Sequence, residues 1–156
     1  MGWTPYAKRQ VGLDMYVRAK SFVGASVLLR NAGGSPFVER HLLCQGLELL
    51  LKSILLLADY DANRPKLKKI GHDLIKAATA VHVATGIKFI NAAVSAELVD
   101  LSKFYGLHML RYASTIGLLT GGGHVPTDRT LRRIAALTRL MEQHLDEPAV
   151  TFTEAR

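Results

Sequence analysis

The segment that most constrains the fold is residues 39–60, ERHLLCQGLELLLKSILLLADY, in which leucine predominates. A helix that crosses a bilayer needs about 18 or more consecutive apolar residues. Glu48 and Lys52 interrupt this run near its middle, and a charged side chain is costly in the hydrocarbon core. The segment is therefore predicted to be a helix enclosed by the rest of the protein rather than a membrane span.

The polar residues of this segment fall on one side of the predicted helix. At about 100° per residue, His41, Gln45, Glu48, Lys52 and Asp59 project within a narrow wedge. The remaining circumference carries leucine, isoleucine and small residues, so neighbouring elements must cover most of it. We predict that this is the central helix of a bundle. The wedge either faces water or lines a groove that receives a phosphate or a base.

Four further segments have helical periodicity. Apolar residues recur at threes and fours within residues 6–31, 74–86, 91–114 and 127–145. Asp73 or His72, Asn91 and Thr127 stand at the starts of the last three, as N-cap residues do. Residues 59–73 contain Asp, Asn and Pro and are predicted to be a connector. The predicted fold is all-α, an antiparallel up-and-down bundle of about five helices in one domain, residues 1–145, with a loosely ordered tail, residues 146–156.

Charge and cysteine content indicate the class of partner and the compartment. Lysine and arginine total 20 against 13 acidic residues, and the resulting charge of +7 favours anionic partners, although solubility alone would explain it. Cys44 is the single cysteine, so an intrachain disulfide is excluded and a reducing, cytoplasmic setting is expected. Because His82, His108 and His124 lack carboxylates at metal-ligand spacing, we expect no metal and no other cofactor.

Three stretches of the predicted bundle carry a family resemblance. They are HLLCQGLELLLKSILL, GHDL and LSKFYGLHMLRYAS. Together they resemble the HEPN (higher eukaryotes and prokaryotes nucleotide-binding) domain family over about residues 6–113. That family has an apolar helix with a Glu and a Lys one turn apart, a His-Asp-Leu start to the third helix and a late Arg-Tyr pair. The matching residues are Glu48, Lys52, His72, Asp73, Leu74, Arg111 and Tyr112.

The resemblance implies a helical bundle that is commonly a homodimer and acts in defence or toxin-antitoxin systems, often beside a nucleotidyltransferase. Some members are metal-independent ribonucleases in which an Arg and a His a few residues apart act on the scissile phosphate. The one such spacing in this chain is Arg139 and His144, with Leu140 where the family has a polar residue. On a regular helix these two side chains would point about 140° apart.

Basic residues in several places are candidates for contact with RNA or a nucleotide. The predicted connector brings four of them beside a helix start, where backbone amides favour an anion, and the last helix carries more along its exposed side. Surface charge that merely faces solvent is the alternative interpretation. The candidate residues are Lys52, Arg64, Lys66, Lys68, Lys69, His72, Arg111, Arg129, Arg132 and Arg133.

The sequence supports three hypotheses about function. The first is a HEPN-like nucleotide- or RNA-binding module, working as a toxin-antitoxin or defence component with a nucleotidyltransferase partner. The second is a ribonuclease that uses Arg139 and His144, and the third is an interaction subunit with no role in nucleic-acid binding. A membrane partner is not expected, because charges interrupt the apolar segment.

Overall fold

Helices make up most of the structure. The computed structural model describes residues 2–106 and 126–146. Within these two ranges there is no strand, so the all-α prediction is confirmed, while the up-and-down order of the bundle stays a prediction. Residues 147–156 of the predicted tail lie outside the described residues. The helices are α1 Pro5–Asn31, α2 Pro36–Ala58, α3 Tyr60–Ile70, α4 Leu74–Thr85, α5 Ala92–Gly106 and α6 Asp128–Asp146.

Helix α2 packs against α1, α3, α4 and α5, as the prediction of a central helix requires. Pro36 lies in its first turn, where the missing N–H costs no hydrogen bond, and Asp59 ends the helix with an extended backbone. By length and composition alone α2 is long and apolar enough to cross a membrane. However, 61% of its apolar window is buried inside the protein, as in the core helix of a soluble protein.

Gly46 allows α1 and α2 to approach each other closely. A Cβ atom added there would lie 2.6 Å from Cγ2 of Val23, 3.0 Å from the Val23 amide nitrogen and 3.1 Å from the carbonyl oxygen of Ala19. Two of these three atoms belong to the backbone of α1, which cannot turn aside as a flexible side chain can. Glycine at this position therefore sets the distance between the two helices.

Cys44 is a core residue of α2. Its side chain is fully buried and its Sγ atom faces the carbonyl oxygen of Leu101 in α5 at 4.0 Å. Burial raises the pKa of the thiol to about 12, because the thiolate would lose its hydration there. The side chain therefore fills space between α2 and α5 and stays protonated at neutral pH.

Residues 60–70 form helix α3, so the prediction that this segment is a connector was wrong. Asp59 interrupts the helical backbone for one residue only, and its Oδ1 accepts a hydrogen bond from the amide of Ala62, which caps α3. Buried Asn63 donates from Nδ2 to the carbonyl oxygen of Leu55 in the last turn of α2. These contacts outweigh the loss of one backbone hydrogen bond at Pro65, and the helix continues through it.

Helices α4 and α5 begin at predicted caps. Asp73 Oδ1 accepts hydrogen bonds from the amides of Ile75 and Lys76, at 3.1 and 2.9 Å. Asn91 Oδ1 accepts from the amide of Val94 at 3.0 Å. At a helix start the first backbone amides have no hydrogen-bond acceptor within the helix. The side chains of Asp73 and Asn91 accept these hydrogen bonds, which fixes where each helix begins.

Helix α6 begins directly after Thr127 and is tied to α5 by a carboxylate. Glu97 of α5 is buried, and its Oε2 accepts hydrogen bonds from the amide nitrogen and the hydroxyl of Thr130, at 2.8 and 3.0 Å. The negative charge thus lies at the positive end of the α6 dipole. The apolar periodicity predicted for residues 127–145 corresponds to one buried side of α6, with Ile134, Leu137 and Met141 buried and Leu145 partly buried.

Candidate nucleic-acid interface

The polar side of α2 meets residues from two other parts of the fold at the carboxylate of Glu48. Oε1 of Glu48 accepts a hydrogen bond from Lys52 Nζ at 2.5 Å. Oε2 lies 2.6 Å from the Tyr105 hydroxyl of α5 and 2.9 Å from Nδ1 of His72, in the turn before α4. Since only 6% of the Glu48 side chain is exposed, this is a buried charge with three polar neighbours.

The same cluster extends on both sides of Glu48. Lys52 Nζ also donates to the carbonyl oxygen of Gly71 at 2.7 Å, which holds the turn between α3 and α4 against α2. The Tyr105 hydroxyl lies 2.8 Å from Gln45 Oε1, and the Tyr105 ring centroid is 5.9 Å from that of His41. Residues of α2, of the α3-α4 turn and of α5 are therefore joined in one polar network.

The prediction that the polar residues of α2 share one side is confirmed for four of the five. His41, Gln45, Glu48 and Lys52 all reach this network. Asp59 is elsewhere, at the junction of α2 and α3, where it caps α3. These four residues are thus mostly enclosed by other helices rather than facing water. Together with His72 and Tyr105 we call them the Glu48 network.

Glu48 is ionised in this network. Burial raises the pKa of its carboxyl, but hydrogen bonds from Lys52, Tyr105 and His72 and the charge of Lys52 outweigh that effect, so the pKa lies below the ordinary 4.5. The carboxylate and the Lys52 ammonium therefore neutralise each other inside the protein. Of the network residues, His72 is the one that reaches furthest into solvent, with 46% of its side chain exposed.

The four basic residues predicted on the connector lie on helix α3. Lys66, Lys68 and Lys69 are exposed, and Lys66 Nζ donates to Asn63 Oδ1 at 2.9 Å. None of these three lysines forms an ion pair with another described residue. Arg64 is also exposed, and its guanidinium lies over two aromatic rings of the N-terminal region and α3. The structure thus gathers these cations on one short exposed helix.

The start of α4 was predicted to attract an anion, and the protein supplies one itself. The carboxylate of Asp73 accepts hydrogen bonds from two of the first amides of α4, those of Ile75 and Lys76. Burial alone would raise the pKa of Asp73. The hydrogen bonds and the Lys76 ammonium at 3.2 Å have the larger, opposite effect, so the pKa lies below its usual value. A phosphate at this helix start would have to displace a charged carboxylate.

The arginines of α6 do not form one continuous basic face. Arg133 turns towards the segment between α4 and α5, where its guanidinium donates to the carbonyl oxygens of Phe89, at 3.0 Å, and Lys88. Arg133 therefore joins α6 to this segment, and the prediction that it lies on the exposed basic side of the helix was wrong. Arg129 and Arg132 are exposed and line a cleft of about 510 Å³ together with the carboxylates of Glu97, Asp100 and Asp128.

Arg139 and His144, the candidate ribonuclease pair, lie on the uninterrupted helix α6. Their spacing of five residues directs the side chains about 140° apart on such a helix. Arg139 is exposed at the edge of an apolar groove of about 590 Å³ between α1 and α6, whereas His144 is partly buried. Within one copy of the chain the two side chains therefore diverge.

Two features of the surface and core were missed by sequence reasoning. Tyr105 lies in a segment that was predicted only to be a helix with periodic apolar residues, but its hydroxyl contacts the carboxylate of Glu48. Trp3 stacks on Tyr60 with ring centroids 6.1 Å apart, although the two are distant in the sequence. No periodic pattern could connect the N-terminal residues with α3. Arg111, the remaining predicted binding residue, lies outside the described residues.

No family model matches the chain, and no curated protein and no solved structure matches it either. The HEPN resemblance therefore stays a prediction, carried by the residues quoted for it above.

Proposed function

We propose that this chain is a HEPN-like module that binds RNA, and that α3 forms the contact with the phosphate backbone. The observation that carries the proposal is the run of cations on α3, Arg64, Lys66, Lys68 and Lys69, all exposed on a helix of 11 residues. Along the chain no carboxylate occurs between Asp61 and Asp73. Unpaired cations at this density attract a polyanion and release its counterions on binding.

A comparison with α6 supports the choice of α3. Arg129 and Arg132 share their cleft with three carboxylates, which reduces the local positive potential. Among the described residues, no carboxylate forms an ion pair with a lysine of α3. The net charge of +7 raises the attraction of the whole chain for RNA, and the local distribution decides where it docks.

The Glu48 network has a supporting role in this proposal. Lys52 holds the carbonyl oxygen of Gly71 at the end of α3, and His72 follows in the same turn. The basic helix is therefore fixed against the core at its C-terminal end, and ordering it on binding costs little conformational entropy. His72, which is half exposed beside this turn, would contact the RNA at the edge of the interface.

Further parts of the proposal come from the resemblance. They are a homodimer, a role in a toxin-antitoxin or defence system, a nucleotidyltransferase partner and a cytoplasmic location. Sedimentation of the purified chain would test the homodimer, and co-purification with a nucleotidyltransferase encoded next to it would test the partner. Cleavage of RNA by Arg139 and His144 receives no support from their positions on α6 and is an outcome for the binding assay to reveal.

The proposal predicts salt-dependent RNA binding that depends on α3. The triple variant Lys66→Ala, Lys68→Ala, Lys69→Ala removes three phosphate contacts. We expect weaker binding of a single-stranded RNA, and a plot of log affinity against log salt that is shallower by about 2, at about 0.7 per contact. Filter binding at several salt concentrations measures both quantities, and intact RNA on a gel at the end of the incubation excludes cleavage.

The matched control is the triple variant Arg129→Ala, Arg132→Ala, Arg139→Ala on α6. It removes the same total charge, so any general attraction falls equally in both variants. We expect the α6 variant to keep a steeper salt dependence and a tighter affinity than the α3 variant. Equal losses in the two variants would show non-specific attraction by net charge, and no binding by the unaltered chain would refute the proposal.

A further inference from the structure

Three flat side chains form a cluster where the N-terminal residues meet α3. The rings of Trp3 and Tyr60 are stacked, with centroids 6.1 Å apart and planes inclined by 22°. The guanidinium carbon of Arg64 lies 5.9 Å from each centroid. We call these three residues the aromatic platform. The distance between the two rings is in the range for aromatic stacking, and the distances from Arg64 to the rings are in the range for cation-π attraction.

The platform is open to solvent. Trp3 keeps 52% of its surface exposed, Arg64 is exposed and Tyr60 is partly exposed. A tryptophan that served only to fasten the chain to α3 would gain most by burying its ring, since apolar area removed from water is the main source of stability. Here about half of that gain is not realised, and a flat apolar face stays available beside a cation.

The carboxylates nearest to the platform in sequence are already engaged. Asp61 pairs with Lys8 of α1 at 2.5 Å, and Asp59 Oδ1 accepts the capping hydrogen bond from the amide of Ala62. Their repulsion of an incoming anion is reduced by these partners. The platform therefore combines exposed rings with the exposed cation of Arg64, and each of the two nearby carboxylates has a partner within the protein.

One further cation of α3 lies on the same side of the helix as the Arg64 of the platform. Arg64 and Lys68 are four residues apart, so they lie on the same side of the helix, about 6 Å apart along its axis. A chain whose base stacks on Trp3 or Tyr60 would pass its next phosphates along Arg64 and Lys68. Cations that follow a backbone beside aromatic rings that stack bases are the arrangement of proteins that bind single strands.

We propose that the aromatic platform binds an unstacked base of single-stranded RNA, with α3 holding the adjoining phosphates. This inference rests on the proposed function and specifies the form of RNA that α3 would hold. Bases within a duplex are paired and stacked on each other, so they present no free face to Trp3. The platform therefore selects single-stranded segments over double-stranded RNA, which the lysines alone would not do.

The experiment uses the fact that Trp3 is the only tryptophan of the chain. Its fluorescence is recorded while an unstructured RNA of about 12 nucleotides is added, alone or annealed to its complement. Stacking of a base on the indole should quench the emission with the single strand and leave it nearly unchanged with the duplex. This measurement needs no variant, so it does not depend on the folding of one.

Substitutions then measure what the platform contributes to affinity. Trp3→Ala should weaken binding of the single strand by about tenfold, the effect of losing one stacked base, and leave duplex binding unchanged. Trp3→Phe should recover part of the loss because it restores a flat ring. Tyr6→Ala, at an aromatic residue that is 73% exposed and outside the platform, is the matched control and should bind as the unaltered chain does.

The outcomes separate the platform from the proposed function. If the α3 triple variant loses binding while Trp3→Ala keeps full affinity and the fluorescence does not respond, the platform is refuted and the RNA-binding function stands. Equal quenching by single strand and duplex would also refute selection by stacking. If the unaltered chain binds neither form of RNA, both proposals fall. A melting temperature for Trp3→Ala close to that of the unaltered chain shows that lost binding is not lost folding.

Discussion

Two polar regions of the molecule, the Glu48 network and the basic residues of α3, differ in how their charges are satisfied. In the network the carboxylate of Glu48 has three polar partners, and the ammonium of Lys52 has two acceptors. On α3, by contrast, Lys68 and Lys69 face solvent with no ion-pair partner among the described residues. Both regions contain candidate residues that the sequence singled out, and only their surroundings distinguish them.

The difference indicates which charges maintain the fold and which are available to a partner. A buried ion must be compensated within the protein, because hydration no longer stabilises it. An exposed ion needs no such compensation, so its removal leaves the fold almost unchanged. Substitutions of the buried pair Glu48 and Lys52 should therefore act on stability, whereas those of the exposed lysines of α3 should act on RNA binding.

The largest expected effect on stability comes from Glu48→Ala. The change leaves the Lys52 ammonium, which is only 13% exposed, without its carboxylate partner. We expect the free energy of unfolding to fall by about 3 kcal/mol, as when one partner of a buried pair is removed. Urea denaturation measures this, with Asp14→Ala as the control. Asp14 pairs with Arg18 on the exposed side of α1, and its loss should cost under about 1 kcal/mol.

A double substitution tests whether the loss comes from the uncompensated charge. Glu48→Met with Lys52→Met removes both ions and keeps apolar side chains of similar length. The double variant should be more stable than Glu48→Ala, since no buried charge is left without a partner. If it is as unstable as the single variant, the other hydrogen bonds of Glu48 account for the loss.

A second comparison between interior and surface concerns two glycines. Gly46→Ala places a methyl group 3.0 Å from the Val23 amide nitrogen, so α1 and α2 must separate, and we expect a loss of about 2 kcal/mol. Gly24→Ala on α1 meets no atom within 4 Å, and alanine favours a helix interior by up to about 1 kcal/mol. Thermal or urea unfolding should show opposite signs for the two. Destabilisation by both would contradict the close approach as the cause.

The smallest expected effect is a dependence of stability on pH. The pKa of Glu48 in the folded protein lies below its ordinary value of 4.5. Its contribution to stability is therefore fully present above pH 4.5 and is lost as the pH falls through the folded-state pKa. In Glu48→Gln this part of the acid sensitivity should be absent. Urea unfolding at several pH values below and above 4.5 gives the slope of stability against pH for the unaltered chain and for Glu48→Gln. The two slopes would be identical if Glu48 were not ionised.

The core could be predicted from the sequence more fully than the surface. Leucines around most of α2, interrupted by polar residues at helical spacing, indicated an enclosed helix with one polar side, since both signals are local and periodic. Helix α3 was missed because its stability depends on tertiary contacts, such as that of Asn63 with Leu55, which offset the proline. From composition alone, Pro65 indicated a connector rather than the interior of a helix.

The candidate interface shows the same limit. The lysines of α3 were visible as a cluster in the sequence, but their freedom from ion pairs was not, because it depends on where the carboxylates lie in space. Arg133 illustrates the reverse case, since a residue at an apparently exposed position donates to two carbonyl oxygens instead. The contact between Trp3 and Tyr60 joins segments remote in sequence, and no local pattern encodes it.

The burial of Cys44 has a practical consequence for all of these measurements. Its thiol is inaccessible, and with a pKa of about 12 it holds almost no reactive thiolate at neutral pH. Towards maleimide dyes and spin labels the native chain should thus behave as a protein that lacks cysteine altogether. A single cysteine introduced on the exposed side of α3 would then be the sole attachment point for a probe, with the core left as it is.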